Sequence, residues 1–448
     1  MANPKEKKAE PKAWIVTVDM GYGHQRAALP LASIAEGGSI ITANNYEGIP
    51  TAEFSSWRIA EKWYLFMSRL SSRGLLGRLI FTIFDYFQRI QDFYPRKKNV
   101  KPPWQLKNTY VQIRAGLGRD LIKKLNAKLM PAQPVPLFTN FLAVGFMAEH
   151  WQYQGSIFVL GTDSDLSRSW ASLYPQKSRI NYFAPSKRAA ERLEQYGVPK
   201  SKIFYTGFPL PDELVGEASE IAKKNLCARL GRLDPIGIYQ KRYAALIASY
   251  LGDMPSTSSR AAVTILFAVG GAGAQAKIGA ILIKSLAPLI KRGEIKLILS
   301  AGISKASAKI FERAVLHANI LGKAKDGIEI IFSESKTEYF AKFNQALKET
   351  DILWTKPSEL SFYAALGLPI VMAPPVGSQE VRNREWLLNL GAGVDQLDPR
   401  YAREWIWDML LDGKLAECAM EGFIKIEREG TRRIKEILFS SRVKNIHL

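Results

Sequence analysis

Residues that bind metals or form disulfide bonds are scarce in this chain. Its 448 residues include two cysteines and four histidines. Cys227 and Cys418 lie far apart in the sequence, and neither is surrounded by other residues at the spacing of a zinc site. Neither a disulfide framework nor a zinc site is indicated, and a reducing cytoplasm is the expected compartment.

Long apolar runs are also missing where they would signal export or a membrane span. Residues 1–12 are rich in lysine and glutamate, lack the apolar stretch of a signal peptide, and are expected to form a solvated basic tail. Residues 75–84 are apolar but are interrupted by Arg78, whereas a helix needs roughly 20 apolar residues to cross a bilayer. The sequence therefore predicts neither export nor a transmembrane helix.

Acidic residues are few relative to basic ones, and the imbalance is local. The formal net charge is +20. Residues 57–130 hold 16 lysines and arginines against 4 aspartates and glutamates, an excess of 12 positive charges. An anionic partner is expected for this region, either a membrane surface or RNA. Because no recognised nucleic-acid motif occurs, nucleic acid is not the expected partner.

Short apolar runs alternate with helical patterns along most of the chain, as in parallel α/β sheets. With 47% hydrophobic and 23% charged residues, the chain is globular in composition and too long for one typical core. We therefore expect two doubly wound, Rossmann-like domains, with a helix over 27–35 after the first strand. The strands are predicted at 13–19, 137–139, 156–160, 181–184 and 203–206 in the first domain, and at 263–269, 296–300, 328–332, 352–355 and 369–373 in the second.

Four polar motifs follow predicted strands, at the sheet edge where α/β proteins bind ligands. One is Gly21-x-Gly23-His24, and another contains Asp163, whose carboxylate can orient or deprotonate a hydroxyl group. A third has three glycines in four positions before a helix, and such backbone N–H groups suit a diphosphate. The fourth begins a helix with Gln379, Glu380 and Asn383. Each motif can also be explained without a ligand, as a turn, a helix cap or a solvated helix start.

The order of these motifs resembles the GT-B glycosyltransferases, among them monogalactosyldiacylglycerol synthase, processive diacylglycerol glycosyltransferases and the lipid II-forming N-acetylglucosaminyltransferase. The resemblance runs from about residue 14 to about residue 399 and includes Thr162-Asp163 with Trp170, Thr355-Lys356-Pro357 and Gly367-Leu368-Pro369. It implies two domains facing each other across a cleft, an acceptor and membrane-docking domain over 13–211 and a nucleotide-sugar domain over 212–400. Helices within 401–448 would pack back towards the first domain.

The resemblance also implies a role for each motif. His24 or Asp163 would be the catalytic base, and the turn with Gly21 and Gly23 would face the acceptor and the diphosphate. Phe332 would contact the nucleotide base. The remaining donor-binding residues would be Gly270, Gly271, Ala272, Gly273, Ala274 and Gln275 at the diphosphate, and Gln379, Glu380 and Asn383 at the sugar hydroxyls.

Two features complicate this assignment. Family members carry a glutamate for the ribose hydroxyls where this chain has Phe362, and Glu359 is the nearest substitute carboxylate. A non-catalytic protein that binds a sugar nucleotide is therefore one alternative.

Asp163 and Asp165 also form an Asp-x-Asp sequence, the metal-binding motif of the other large glycosyltransferase fold. Two glycine-rich turns in a two-sheet chain nevertheless favour GT-B. No metal and no cofactor are then expected, because the nucleotide-sugar is a substrate.

The basic region combines aromatic and cationic residues at helical spacing. Trp63 and Phe66 share one predicted helix face with Ile59 and Leu70, and basic residues form a strip beside it. This pattern is typical of a helix lying on a membrane surface, and equally of a helix packed on a sheet with a solvated basic face. The predicted membrane contacts are Trp63, Phe66, Arg69, Arg73 and Arg78.

The sequence as a whole predicts an inverting glycosyltransferase that moves a hexosyl unit from a nucleotide-sugar, expected to be a UDP-sugar, to a lipid such as diacylglycerol. It would act in the cytoplasm, bound peripherally to the inner face of the cell membrane. An epimerase of nucleotide-sugars with the same fold is the second alternative. Such an enzyme acts on a soluble substrate and would have no use for the basic aromatic region.

Overall fold

The chain contains two six-stranded sheets. The computed structural model describes residues 11–59, 90–96, 100–128, 134–252, 261–270, 275–320 and 327–440. The strand pairs that form the two sheets are all parallel, and helices connect the strands. This arrangement confirms the predicted class of two doubly wound α/β domains.

The first sheet has the strand order β2-β1-β3-β4-β5-β6. Its strands are β1 (Trp14–Thr17), β2 (Ile41–Thr42), β3 (Leu137–Thr139), β4 (Ile157–Leu160), β5 (Ile180–Ala184) and β6 (Ile203–Tyr205). The second sheet has the order β12-β11-β10-β7-β8-β9. Its strands are β7 (Val263–Ala268), β8 (Ile295–Gly302), β9 (Ile328–Phe332), β10 (Ile352–Thr355), β11 (Ile370–Met372) and β12 (Gly393–Asp395).

Helices flank both sheets. Those up to the end of β6 are Tyr22–Ala28, Trp104–Arg114, Arg119–Ala127, Leu142–His150 and Lys187–Gln195, and residues 51–59 are also helical. Those that follow are Asp212–Val215, Glu220–Leu233, Ile238–Arg242, Ala244–Leu251, Ala276–Lys291, Lys305–His317, Lys336–Glu349, Ser378–Leu390, Ala402–Leu411, Lys414–Lys425 and Gly430–Leu438. Short 3-10 segments include Leu29–Ile34 and Glu359–Leu366. No helix in the described ranges is long and apolar enough to span a membrane.

The structure differs from the predicted elements mainly at short or interrupted segments. β2 and β12 were not predicted, because their sequences, Ile-Thr and Gly-Val-Asp, do not form apolar runs. The helix predicted over 27–35 begins at Tyr22 and gives way to a 3-10 segment at Leu29. Pro30 explains this change, since it has no N–H to donate and its ring clashes with the carbonyl four residues earlier.

The carboxyl edges of the two sheets face each other. Asp19, after β1, forms an ion pair with Lys336, after β9. The Tyr22 hydroxyl accepts a 2.9 Å hydrogen bond from the backbone N–H of Ile303, after β8. A Cβ at Gly302 would lie 2.3 Å from that hydroxyl, so only glycine fits under the ring. Residues that follow the strands of both sheets therefore meet in one cleft.

The apolar core links the two domains. Side chains alternate along β1, so Trp14 and Val16 belong to a cluster confined to one face of the first sheet. Ile15, on the opposite face, belongs to a larger cluster that continues into the second sheet and the final helices. The last described helix, Gly430–Leu438, contacts the 3-10 segment Leu29–Ile34 of the first domain.

Candidate active site in the cleft

Asp163 and Asn383 meet in the cleft although 220 residues separate them. The Asn383 amide donates a 3.0 Å hydrogen bond to Asp163 Oδ1, and its oxygen accepts a 2.8 Å hydrogen bond from the backbone N–H of Ser164. Asp163 follows β4, whereas Asn383 lies in the first turns of helix Ser378–Leu390 and is fully buried. The structure thus brings together one residue predicted on the acceptor side and one predicted on the donor side.

The environment of Asp163 favours its neutral form. Burial is the main cause that raises the pKa of this carboxyl to about 6, and the negative charges of Glu359 and Glu380 act in the same direction. The hydrogen bond from Asn383 and the positive charge of Lys356 oppose the shift. A carboxyl group that titrates near neutral pH is suited to proton transfer, and strongly shifted groups concentrate at functional sites.

His24 lies in the first turn of helix Tyr22–Ala28, beside Asn140. Its Nδ1 is 2.9 Å from the backbone oxygen of Asn140. Because a carbonyl only accepts hydrogen bonds, Nδ1 carries the proton and Nε2 of the neutral ring keeps a lone pair. Burial lowers the pKa of His24, although the negative charge of Glu359 partly opposes this. The Asn140 side chain in turn donates a hydrogen bond to the backbone oxygen of His24. The two residues therefore hold each other in place.

Glu359 faces the first domain. Its Oε1 accepts a 3.3 Å hydrogen bond from Arg26 Nε, and Arg26 is 3% exposed. The Arg26 guanidinium also lies 4.4 Å from the centre of the Phe343 ring. A Cβ at Gly23 would lie 3.1 Å from Glu359 Oε2, so the second glycine of the first motif leaves room for this carboxylate. The predicted substitute for the ribose ligand is therefore already paired with a cation of the opposite domain.

Lys356 and Glu380 form an ion pair on the side of the cleft that belongs to the second domain. Glu380 also accepts a 2.8 Å hydrogen bond from the backbone N–H of Val376. A Cβ at Gly270 would lie 2.8 Å from Lys356 Cε, so the first glycine of the glycine-rich motif allows the lysine to approach. Lys356 thus adds a cation at the predicted diphosphate position.

The glycine-rich motif is described only at its two ends. Gly271, Ala272, Gly273 and Ala274 lie outside the described residues. Gln275 caps helix Ala276–Lys291 and is 8% exposed. Its side-chain oxygen makes no hydrogen bond to any residue that the structure describes, so a polar acceptor is buried at the start of the helix.

The other predicted donor residues differ in their surroundings. Gln379 lies partly exposed in the first turn of helix Ser378–Leu390, and Phe332 at the end of β9 packs partly against the core. Phe362 stacks on Phe208 with ring centres 4.8 Å apart and an interplanar angle of 3°. Gly21 has φ 96°, a backbone conformation that favours glycine, directly before helix Tyr22–Ala28.

Asp165 has a structural role that separates it from Asp163. Its two oxygens accept hydrogen bonds of 2.7 and 3.0 Å from Arg192 in a buried ion pair. A carboxylate held in this way is not available to share a metal ion with Asp163. Within the ranges described, no group of three or more His, Cys, Asp or Glu side chains is placed to hold a metal ion.

Sequence reasoning missed the partners of these residues. Arg26, Asn140 and Lys356 lie in the cleft, yet only Lys356 belonged to a recognised motif. Arg26 has a weak signal, because it lies two positions after His24 in the same helix. Asn140 follows β3 directly and so shares the functional edge of the sheet. A search for polar residues directly after each predicted strand would therefore have identified Asn140.

The predicted membrane contacts Trp63, Phe66, Arg69, Arg73 and Arg78 lie outside the described residues. The described part of the basic region includes helix Trp104–Arg114. Trp104 is 71% and Val111 57% exposed, and Lys107 and Arg114 are exposed on the same face. An exposed tryptophan between basic side chains is unusual for a solvated surface and typical of an interaction surface.

Comparison with known proteins gives a short sequence match and a set of distant structural neighbours. Residues 254–321 match a family described as a domain of unknown function, DUF6938. No curated protein matches the chain. A UDP-GlcNAc 2-epimerase from Neisseria meningitidis, solved with UDP-GlcNAc, is similar with a TM-score of 0.43 and 12% identity, over 76% of this chain and 83% of that chain.

Two further neighbours have lower scores. HepE of Anabaena, solved with UDP and glucose, has a TM-score of 0.39 and 12% identity, over 77% of this chain and 85% of that chain. WaaG, a glycosyltransferase involved in lipopolysaccharide biosynthesis, has a TM-score of 0.35 and 11% identity, over 77% of this chain and 98% of that chain. At such low identities and scores, the activities of these neighbours are not transferred to this chain.

Proposed function

We propose that the protein transfers a hexosyl unit from a UDP-sugar to the hydroxyl group of a lipid such as diacylglycerol, with inversion. The observation that supports this most is the position of Asp163. It follows β4 in the cleft, touches Asn383 of the opposite domain, and has a pKa raised to about 6. A carboxylate with this pKa can accept the proton of an acceptor hydroxyl near neutral pH.

The proposed reaction is a single displacement at the anomeric carbon. The acceptor oxygen forms a bond to that carbon while the bond from the carbon to the diphosphate oxygen breaks. The hydroxyl proton passes to Asp163, and the bonding electrons leave with the diphosphate. Lys356 and the glycine amides of 270–274 would stabilise the charge that develops on the leaving group. Neutral His24, whose Nε2 keeps a lone pair, is a second candidate for the base that accepts this proton.

The donor would occupy the position where the two domains now touch. By resemblance, Gln379, Glu380 and Asn383 hold the sugar hydroxyls. In the structure Asn383 is bound to Asp163, and Glu380 is bound to Lys356. A hexose that replaces Asp163 as the partner of Asn383 would accept the hydrogen bond that the Asn383 amide now donates to Asp163. The sugar would then lie between the proposed base and the proposed diphosphate site.

The lipid acceptor and the cytoplasmic face of the membrane are part of the same proposal. The exposed face of helix Trp104–Arg114 carries Trp104 and Val111 together with Lys107 and Arg114. Aromatic and apolar side chains can enter the interface of a bilayer, while cations are attracted to anionic lipid. This face supports a peripheral association with the membrane through the basic region.

The direct test is a transfer assay with radiolabelled UDP-hexoses and a total membrane lipid extract. We expect the label to move into the organic phase with the parent protein and not with Asp163→Asn. As a control, Lys200→Gln changes an exposed side chain that precedes β6, at the edge of the sheet opposite the cleft, and should leave transfer intact. If UDP-hexoses bind but no label reaches the lipid from any of them, the transferase proposal is wrong.

A nucleotide-sugar epimerase is the second candidate, and the number of acid and base groups in the cleft favours it. Asp163, Glu359 and Glu380 are close enough for each of the glutamates to raise the pKa of Asp163, and His24 is coupled to Glu359. Several such groups could remove a proton from one face of a sugar and return it to another. The same assay without lipid distinguishes the two activities. An epimerase would convert the UDP-sugar into its epimer in the aqueous phase, whereas a lipid transferase would leave it unchanged.

A non-catalytic binding protein is the third candidate. Phe362, at the position of the family's ribose ligand, is 1% exposed and packs in the core, and Glu359 is paired with Arg26. The ribose of a bound nucleotide would therefore meet no unpaired carboxylate at this position. Tight binding of a UDP-sugar without turnover, in the presence and absence of lipid, would identify such a protein.

A further inference from the structure

Two neighbouring helices of the second domain form one surface on a flank of its sheet. Helix Ala276–Lys291 connects β7 to β8, and helix Lys305–His317 connects β8 to β9. Right-handed connections in the same direction place both helices on the same side of the sheet. They pack closely, because a Cβ at Gly279 would lie 2.5 Å from a ring atom of Phe311. The sides of the two helices that point away from the sheet therefore adjoin each other.

Basic side chains predominate on this surface, which we call the outer face. Along the first helix the side away from the sheet recurs at every third or fourth position and carries Lys277, Ile281, Lys284, Pro288 and Lys291. The side of the second helix opposite its buried residues carries Lys305, Lys309, Glu312, Arg313 and Leu316. The outer face thus holds six cations and one carboxylate.

The positive charge of the outer face is not neutralised by its surroundings. None of its six cations forms an ion pair with a residue that the structure describes. Glu294 and Glu349, close to the ends of the same strands, pair with cations outside the face, Arg292 at 2.7 Å and Lys296 at 3.1 Å. Of the formal charge of +20, residues 57–130 carry +12. The outer face carries +5 of the remaining +8 and is a second local concentration of positive charge.

Aliphatic side chains lie among these cations. Ile281 is 36% and Leu316 58% exposed. Cations are attracted to the anionic headgroups of a bilayer, and aliphatic side chains can enter its interface. Single-stranded RNA, by contrast, is held largely by bases that stack on aromatic rings. Phe311 is the only Phe, Tyr or Trp of the two helices, and it is fully buried. The composition of the outer face therefore favours anionic lipid over RNA.

We propose that the outer face is a membrane-docking surface of the second domain and that its partner is a bilayer of anionic phospholipid. The lysines of helix Ala276–Lys291 would lie among the headgroups, while Ile281 and Leu316 would enter the interface. Such a contact would extend the proposed membrane association from the first domain to the second. It requires no turnover in the cleft, so it can be measured in the absence of a donor.

The direct test places a fluorophore on the outer face of the full chain. Nitrobenzoxadiazole is attached to Ile281→Cys, with Cys227→Ser to remove the partly exposed native thiol; Cys418 is buried. We expect the emission of the label to rise with phosphatidylglycerol vesicles and to be quenched by nitroxide-bearing lipid, because the label enters the interface.

The matched control carries the same label at Lys348→Cys. This exposed residue belongs to helix Lys336–Glu349, which returns from β9 to β10 and therefore lies on the opposite side of the sheet. Its emission should not change with vesicles. No response of the label at Ile281→Cys, or equal responses at the two positions, would overturn the proposal.

Vesicle sedimentation measures the contribution of charge. The test variant replaces three lysines of the outer face together, Lys277→Gln, Lys284→Gln and Lys291→Gln. It should bind phosphatidylglycerol vesicles at least about tenfold more weakly at low salt, since each cation near an anionic surface contributes about fivefold. High salt should remove this difference.

A control variant makes the same change of charge at exposed lysines elsewhere in the second domain, Lys223→Gln, Lys224→Gln and Lys348→Gln. It should bind the vesicles nearly as well as the parent. Equal losses in the two triple variants would mean that net charge alone attracts the protein, and the proposal would be wrong. Urea unfolding should show the same midpoint for both variants and the parent, because the replaced lysines form no ion pairs in the described structure.

Fluorescence polarisation with a labelled single-stranded RNA tests the other anionic partner. If the triple variant of the outer face loses RNA binding but keeps vesicle binding, the surface binds RNA and the proposal is wrong. The vesicle measurements are also separate from the proposed reaction. Absence of sugar transfer in every assay would disprove the transferase and leave the membrane contact of the second domain unaffected.

Discussion

Two predicted site residues on the two sides of the cleft differ in how they are held, His24 of the first domain and Gln275 of the second. His24 and Asn140 exchange two hydrogen bonds, and Thr17 donates a third of 3.0 Å to Asn140. On the donor side, the buried side-chain oxygen of Gln275 makes no hydrogen bond within the described residues. His24 is therefore held in place before any ligand binds, and Gln275 has a polar atom that a ligand can use.

The largest effect should come from removing the proposed bases on the acceptor side. Asp163→Asn and His24→Ala should each slow the chemical step by roughly a hundredfold or more, the scale of a positioned acid or base. Affinity for the UDP-sugar should change little, because the donor side is intact. Single-turnover kinetics with saturating donor measures the step directly. Full activity in either variant would remove that residue from the mechanism.

A neighbouring aspartate sharpens this comparison. Asp165→Asn breaks the buried pair with Arg192, and the free energy of unfolding should fall by about 3 kcal/mol, the cost of leaving a buried charge unpaired. Urea unfolding measures the loss. Asp163→Asn, two residues away, should not cause a comparable fall. Equal stability losses in the two variants would mean that Asp163 is also structural.

The pH dependence of the free energy of unfolding should reveal the raised pKa of Asp163. Its pKa is raised from 3.8 to about 6, so between these values the folded state holds a proton that the unfolded state has lost. The free energy of unfolding of the parent should therefore fall as the pH rises through this window, by up to about 3 kcal/mol. In Asp163→Asn this contribution should vanish. An unchanged difference between parent and variant from pH 4 to pH 7 would contradict the raised pKa.

The donor side can be tested through its first glycine. In Gly270→Ala the new Cβ would lie 2.8 Å from Lys356 Cε and push the lysine away, so UDP-sugar should bind about tenfold more weakly, as expected for the loss of one charge-assisted hydrogen bond. Gly231→Ala is the matched control, because a Cβ there meets no atom within 4 Å. Titration calorimetry measures both. Equal affinities would remove Lys356 from the donor site.

The last prediction concerns the membrane and not the cleft. Trp104→Ala should weaken sedimentation with phosphatidylglycerol vesicles at every salt concentration, since burial of an apolar ring is not screened. Lys107→Gln with Arg114→Gln should weaken it chiefly at low salt, by about fivefold for each charge near the surface. A parent protein that fails to bind these vesicles would contradict the membrane association.

The sequence was sufficient for much of the fold because most strands are short runs rich in apolar residues, and the predicted strands at 137–139, 328–332 and 352–355 have the same bounds in the structure. His24 and Asp163 follow strands in recognisable motifs, and their roles stay predictions, although the structure places both at the cleft. The pairing of Arg26 with Glu359 was not predictable, because 333 residues separate them and only the meeting of the two sheets brings them together. The structural role of Asp165 was not predicted either, because its partner Arg192 lies 27 residues away in the next helix.

The central claim is that the two sides of the cleft divide donor binding from acceptor activation. The most direct measurement pairs calorimetric titration of a UDP-hexose with the rate of label transfer to lipid, for the parent and for Asp163→Asn. We predict equal dissociation constants for the two proteins and transfer only by the parent. A variant that transfers at the parental rate, or one that loses donor binding together with transfer, would contradict this division.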